Sequence, residues 1–164
     1  MKMLLHAAAF ALLLPAVAAA EGYRVGDLTI TNPLSRETPS TAMAGAGYMT
    51  ITNTGTTADR LVAVRADFPR VEIHDVKVEN DVASMFRLDG VDIAPGETVT
   101  LQPGQTHVMF MGLNGDALEP GEQVSATLVF EDAGEVDILF DVQTTAAIME
   151  AFGPRDGGEA HKGN

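Results

Sequence analysis

The sequence predicts an all-β sandwich of eight or nine strands, and three observations carry that expectation. Short β-type runs recur between turn residues, at spacings typical of sandwiches and barrels. Where a run is clearest, as in Thr106–Gly112, alternate residues are apolar, which is the period of a strand with one buried face. No segment sustains a helical period except Thr144 to Ala151. A length of 164 residues fits one domain with a substantial core, and 46% hydrophobic against 20% charged residues favours a globular fold over disorder.

The first 20 residues stand apart from that fold. Met1-Lys2-Met3 gives a short positive start, Leu4 to Val17 an apolar run, and Ala18-Ala19-Ala20 small residues before Glu21. This is the pattern of a cleavable secretory signal peptide, too short for a membrane span with stop-transfer flanks, and it implies a periplasmic protein. No Cys stands near the cleavage point, so a lipid anchor is not expected.

Residues 21–145 form the expected β domain. Its first strand is Arg24 to Thr31, closed by Asn32-Pro33, followed by Ala46 to Thr52 and Arg60 to Val64. Val71 to Glu79 and Val82 to Leu88 flank Asn80-Asp81, a hairpin turn. Ala94-Pro95-Gly96 leads into Thr98 to Leu101, and Gln102-Pro103-Gly104-Gln105 leads into the strand at Thr106–Gly112. Gln123 to Phe130 and Glu135 to Val142 complete the set, separated at Gly134. Residues 146–164 are assigned to a flexible C-terminal tail, rich in Gly and charge from Phe152 onward.

Charge and composition exclude several classes. A net charge of −13, from 23 acidic against 10 basic residues, argues against nucleic acid as a partner. The absence of cysteine removes disulfides, thiolate nucleophiles, iron–sulfur clusters, Cys-rich zinc sites and the blue-copper electron-transfer centre. No nucleophile elbow, H-E-x-x-H pair or phosphate-cradling glycine loop is present, so an enzyme is not expected.

The unexpected side chains fall on the polar phase of three strands. In Thr106–Gly112, Val108 and Phe110 take the core face and His107, Met109 and Met111 the other. In Val71–Glu79, His74 lies with Glu72 opposite the apolar phase of Val71 and Ile73, and the phase then flips after Asp75, the trace of a bulge or bend. In Val82–Leu88 the core phase is Val82, Phe86 and Leu88, which leaves Met85 on the solvent face with Arg87. Two imidazoles and two thioethers, without thiolate or hard oxygen, suit Cu(I) among the biological first-row ions. Zn²⁺ favours Cys, His or carboxylate, and Ca²⁺ and Mg²⁺ need oxygen. The competing reading is routine: methionine fills cores, and a single surface histidine is usually idle.

The spacing His74, Met85, His107, Met109 reads H-x10-M-x21-H-x-M and resembles the signature of the PCuAC family of periplasmic copper chaperones. Ala46–Asn53 is similar to the family's early strand, and Ile93–Gly96 through Leu101–Gly104 and His107–Leu113 to its turn-and-strand ending. The resemblance covers about Val25 to Val142. It implies a cupredoxin-like Greek-key β-sandwich that binds one Cu(I) per chain through His74, Met85, His107 and Met109. It also implies delivery of copper to the CuA centre of cytochrome c oxidase, with apo-subunit II or another copper chaperone as acceptor and the protein acting as a monomer. Some members hold a second copper in a His- and Met-rich extension. Here Met149 and His161 alone would supply a weaker one, and an ordinary tail is the better reading. Met111 would shield the site or stand in reserve, while Met43 has no assigned role.

Thioethers do not titrate and avoid the disulfide chemistry that disables thiols in an oxidising compartment. Imidazoles must be neutral to bind, so affinity is expected to fall in acid. Glu72 and Asp75 are expected nearby to offset the cation. Two rival classes are a copper storage or resistance protein and a metal-free exported β-sandwich serving as an interaction module.

Overall fold

Alternation along the two closing strands shows how the core is filled. The computed structural model describes residues 22–153. In β10 (Gln123–Phe130) every second residue, from Val124 to Phe130, is buried, and in β11 (Glu135–Gln143) Ile138, Phe140 and Val142 are. The two form an antiparallel hairpin, and β10 also pairs with β4 (Asp59–Ala66), which carries the short β7 (Val91–Ile93) on its other side.

The second half of the sheet begins where β11 runs parallel to the end of β2 (Leu28–Arg36). From there the order continues through β3 (Ala44–Asn53), β9 (His107–Met111), β5 (Arg70–Glu79) and β6 (Val82–Leu88). β1 (Tyr23–Val25) pairs with β2, and β8 (Thr98–Leu101) shares with β9 one edge of the long β3. The sheet folds over on itself. Phe110 of β9 and Phe140 of β11, three strands apart in the order, meet edge to face with centroids 5.5 Å apart. Gly47 lies against both rings, where an added Cβ would stand 3.0 to 3.1 Å from their atoms.

Eleven strands are present among the described residues, against eight or nine expected. The first expected strand is two, split by a turn at Gly26-Asp27 with Gly26 at φ 54°, and β7 is a three-residue strand. Asn32-Pro33 does not end a strand. It forms a bulge, with Asn32 at φ 51° and a register shift between Thr31 and Leu34, and β2 continues to Arg36.

The bulge expected at Asp75 is absent, since the β5–β6 ladder runs unbroken from Ile73↔Leu88 to Glu79↔Val82. The hydrophobic phase flips because the hairpin projects beyond the core. Val78, Val82, Met85 and Phe86 are all exposed, so Val82 and Phe86 are not the core residues the sequence suggests. The turn itself is as expected, with Asn80 and Asp81 at φ 52° and 62°, the conformation of a tight hairpin.

Residues 146–152 of the assigned tail are helical, as the period at Thr144 to Ala151 suggests, and residues 154–164 lie outside the described residues. Residues Thr145–Phe152 form α1, capped by Thr144, whose Oγ1 accepts from the Ala147 N–H. Ile148 is fully buried against Ala46 and Tyr48 on the outer face of the sheet, with Leu34 and Phe152 alongside. Burial of such a side chain contributes about 2 kcal/mol, enough to hold a short helix in place. The expected signal peptide and His161 lie outside the described residues.

Candidate metal centre

Strand register assembles the predicted residues on one face. His74 of β5 stands opposite His107 of β9, and Met109 lies between Glu72 on β5 and Ala46 on β3. Across the other edge of β5, Arg87 faces His74 and Met85 faces Val76. Side chains opposite one another share a face. His74, Met85, His107 and Met109 are therefore on the same side of a four-strand stretch, away from Val108 and Phe110.

That side is not simply solvent. His107 is only 6% exposed, and its ring lies 6.5 Å from that of Tyr48, which in turn packs on Phe152 at 5.8 Å. The helix α1 and Tyr48 thus wall the site from one direction. Sequence reasoning did not single out Tyr48. Its spacing from Ala46 on an alternating strand is the available signal, but where the helical segment at Thr144 to Ala151 docks is not readable from that pattern. Burial raises the Tyr48 phenol's pKa, opposed by the charge of Arg36.

The two imidazoles are oriented by acceptors. His107 Nδ1 donates to the Gln105 carbonyl at 2.7 Å, which reserves Nε2 for another partner. His74 Nε2 donates to Glu72 Oε2 at 2.8 Å, while its Nδ1 is buried with no hydrogen-bond partner among the described residues. A carboxylate or carbonyl holding one ring nitrogen fixes the tautomer and exposes the lone pair of the other, the usual second shell of a metal-bound histidine. The ring centroids are 6.4 Å apart, close to the widest spacing at which both rings reach one ion through bonds of about 2 Å. A bent arrangement draws the rings closer.

Glu72 has its pKa lowered, first by the hydrogen bond from His74 and further by the charges of Arg70, His74 and Arg87, against the effect of burial. Arg70 Nε lies 3.7 Å from its other oxygen. Asp75 does not join it. Strand alternation sends Asp75 to the opposite face, where its carboxylate accepts from the Val76 N–H.

Met85, His107 and Met109 line one cleft of about 270 Å³, together with Arg36, Tyr48, Val76 and Pro103. His74 stands beside the cleft rather than in its lining. Met85 is 59% exposed and Met109 is half-buried. Met111 sits further along β9, where its Sδ accepts from Arg70 Nε at 3.1 Å. Met43 is exposed, and its carbonyl accepts from the N–H groups of Gly112 and Leu113. Met149 of α1 borders a separate hollow with Gln102, Gln105 and Phe152. Among the described residues no group of three or more His, Asp or Glu is placed to hold a metal, so a metal here depends on the thioethers.

Residues 28–142 match the family described as "Putative lipoprotein LpqE-like". The "Putative lipoprotein Lxx21020" of Leifsonia xyli subsp. xyli is 27% identical over 140 residues, covering 85% of this chain and 83% of that protein. Among solved structures, the apo PCuAC domain from PmoF1 is 33% identical with a TM-score of 0.63, covering 74% of this chain and 98% of that one. The copper-bound PCuAC domain from PmoF2 is 31% identical at a TM-score of 0.61, covering 74% and 97%. Apo-DR1885 from Deinococcus radiodurans shares the fold, at 24% identity and a TM-score of 0.56 over 88% of this chain and 97% of that one. The all-β architecture is thus the cupredoxin-like sandwich of these domains.

Proposed function

Because the chain belongs to the LpqE-like family and carries a PCuAC domain, we propose that it is a copper chaperone that binds one Cu(I) through His74, Met85, His107 and Met109. The observation that carries the reading is the buried, unpartnered Nδ1 of His74, whose ring is oriented by Glu72 and faces His107. An orphaned buried acceptor is costly, and a metal bond removes that cost. The copper-bound state of the PmoF2 domain supports the choice of metal.

The two histidines give the site its rigid half. Each imidazole has one nitrogen tied down, so little ordering is needed when copper arrives. The thioethers give the exchangeable half, neutral and soft, with Met85 on an edge strand and open to solvent. A ligand that is exposed and weakly held is where transfer would begin. Delivery to the CuA centre of cytochrome c oxidase, as apo-subunit II, is the destination we propose, and export to the periplasm is its location. The lipoprotein names of the relatives support export.

X-ray absorption on the Cu(I)-loaded chain tests the ligand set. Two nitrogen and two sulfur scatterers are expected, and a shell of nitrogen and oxygen alone would refute the assignment. Copper transfer to apo-subunit II tests the destination, since retention of the metal would favour storage.

A further inference from the structure

The cleft beside His107 has a side that the four proposed ligands leave unused. Arg36 and Tyr48 line it with Met85, His107 and Met109. Arg36 reaches this position because β2 continues through the Asn32-Pro33 bulge, so that Leu34, Ser35 and Arg36 pair with Asp141, Val142 and Gln143. Ser35 anchors the segment, fully buried with its Oγ donating to the Ala46 carbonyl at 3.0 Å.

Among the described residues Arg36, like Arg24 and Arg87, has no ion-pair partner, and of these three it is Arg36 that lines the cleft. A guanidinium lining the cleft that takes up a cation repels it. Such a residue weakens a site built only to hold copper. It becomes favourable once an anion enters the cleft.

We propose that the Arg36 side of this cleft is the entry subsite for the thiolate of a copper acceptor, which displaces Met85 from the metal. This rests on the Cu(I) reading above. A thiolate is the soft anionic donor able to outcompete a neutral thioether on a d¹⁰ ion. Arg36 supplies the opposite charge and hydrogen bonds, and the Tyr48 ring forms the wall behind. In the exchange a bond forms between copper and the incoming sulfur, and the bond to Met85 Sδ breaks. The thiol proton passes to solvent and copper stays Cu(I), so no oxidant or reductant is needed. Met85 is the ligand that leaves because it stands exposed on the outermost strand, whereas Met109 is paired on both sides.

The test uses the Cu(I)-loaded chain without oxygen, with N-acetylcysteine amide as a thiol probe and acetonitrile as an uncharged Cu(I) ligand. Copper left on the protein after rapid desalting gives the removal rate. Arg36→Gln is expected to slow removal by the thiol about fivefold, the upper range for an ion pair open to solvent, and removal by acetonitrile by clearly less, since that probe senses only the lost repulsion between Arg36 and copper. Arg36→Lys should restore most of the rate. Equal thiol rates in wild type and Arg36→Gln, or equal slowing with both probes, would overturn the subsite and leave the copper site standing. Failure of the wild-type chain to take up Cu(I) would overturn the functional reading, and this inference with it.

Discussion

His74 and His107 stand directly opposite each other on adjacent antiparallel strands, and each has one ring nitrogen bound to an acceptor from its own segment. His74 is held by Glu72 and His107 by the Gln105 carbonyl, in both cases two residues away in sequence. A backbone carbonyl thus orients the His107 ring and a side-chain carboxylate the His74 ring. Order at the site comes from local geometry and does not wait for the metal.

Glu72→Gln tests that second shell. An amide can still accept from His74, but it carries no charge to favour a metal-bound imidazole. Cu(I) affinity should fall about ten- to hundredfold, the usual loss for a second-shell partner, with the fold intact. A chelator competition against wild type measures it.

The same carboxylate carries a pH dependence of stability. Glu72 has its pKa lowered from 4.5, chiefly by the His74 hydrogen bond, so the folded state favours its ionised form. Its contribution to stability is complete above 4.5 and is lost as pH falls through the lowered value. In urea denaturation of the metal-free chain, wild type should lose stability relative to Glu72→Gln on acidification below 4.5.

Met109 and Met111 share a face of β9 but not a role. Met109 lines the cleft, while Met111 accepts from Arg70. Met109→Leu should weaken Cu(I) binding by more than the roughly hundredfold upper end of a second-shell change, and Met111→Leu should leave it within about threefold. Both swaps conserve volume and should cost less than about 1.5 kcal/mol of stability.

Ile148→Ala tests the helix that walls the site. The side chain is fully buried under Ala46 and Tyr48, so its truncation should cost about 2–4 kcal/mol by thermal or urea unfolding. Loosening α1 also frees Tyr48 beside His107, and amide exchange in residues 145–152 should rise.

Much of this was legible in the sequence. The bounds of β6 and β10 match the expected runs, and the four ligand candidates do share one face, because strand alternation is local and readable. What was missed depends on tertiary contact. The flip after Asp75 looked like a bulge but marks a hairpin leaving the core, a distinction set by what lies beneath the strand. The real bulge at Asn32-Pro33 looked like a strand end, so Arg36 was not placed near the site. Tyr48 escaped because the helical period at Thr144 to Ala151 does not announce which face of the sheet the helix covers.

The most direct measurement is an anaerobic Cu(I) titration of the chain from residue 21 onward against a competing chromophoric chelator, beside His74→Ala and His107→Ala. The account predicts tight one-to-one binding in wild type and loss of effective competition in both variants, with folding retained. Wild-type affinity in either variant would contradict the paired-histidine site, and no competition by wild type would remove copper from the account altogether.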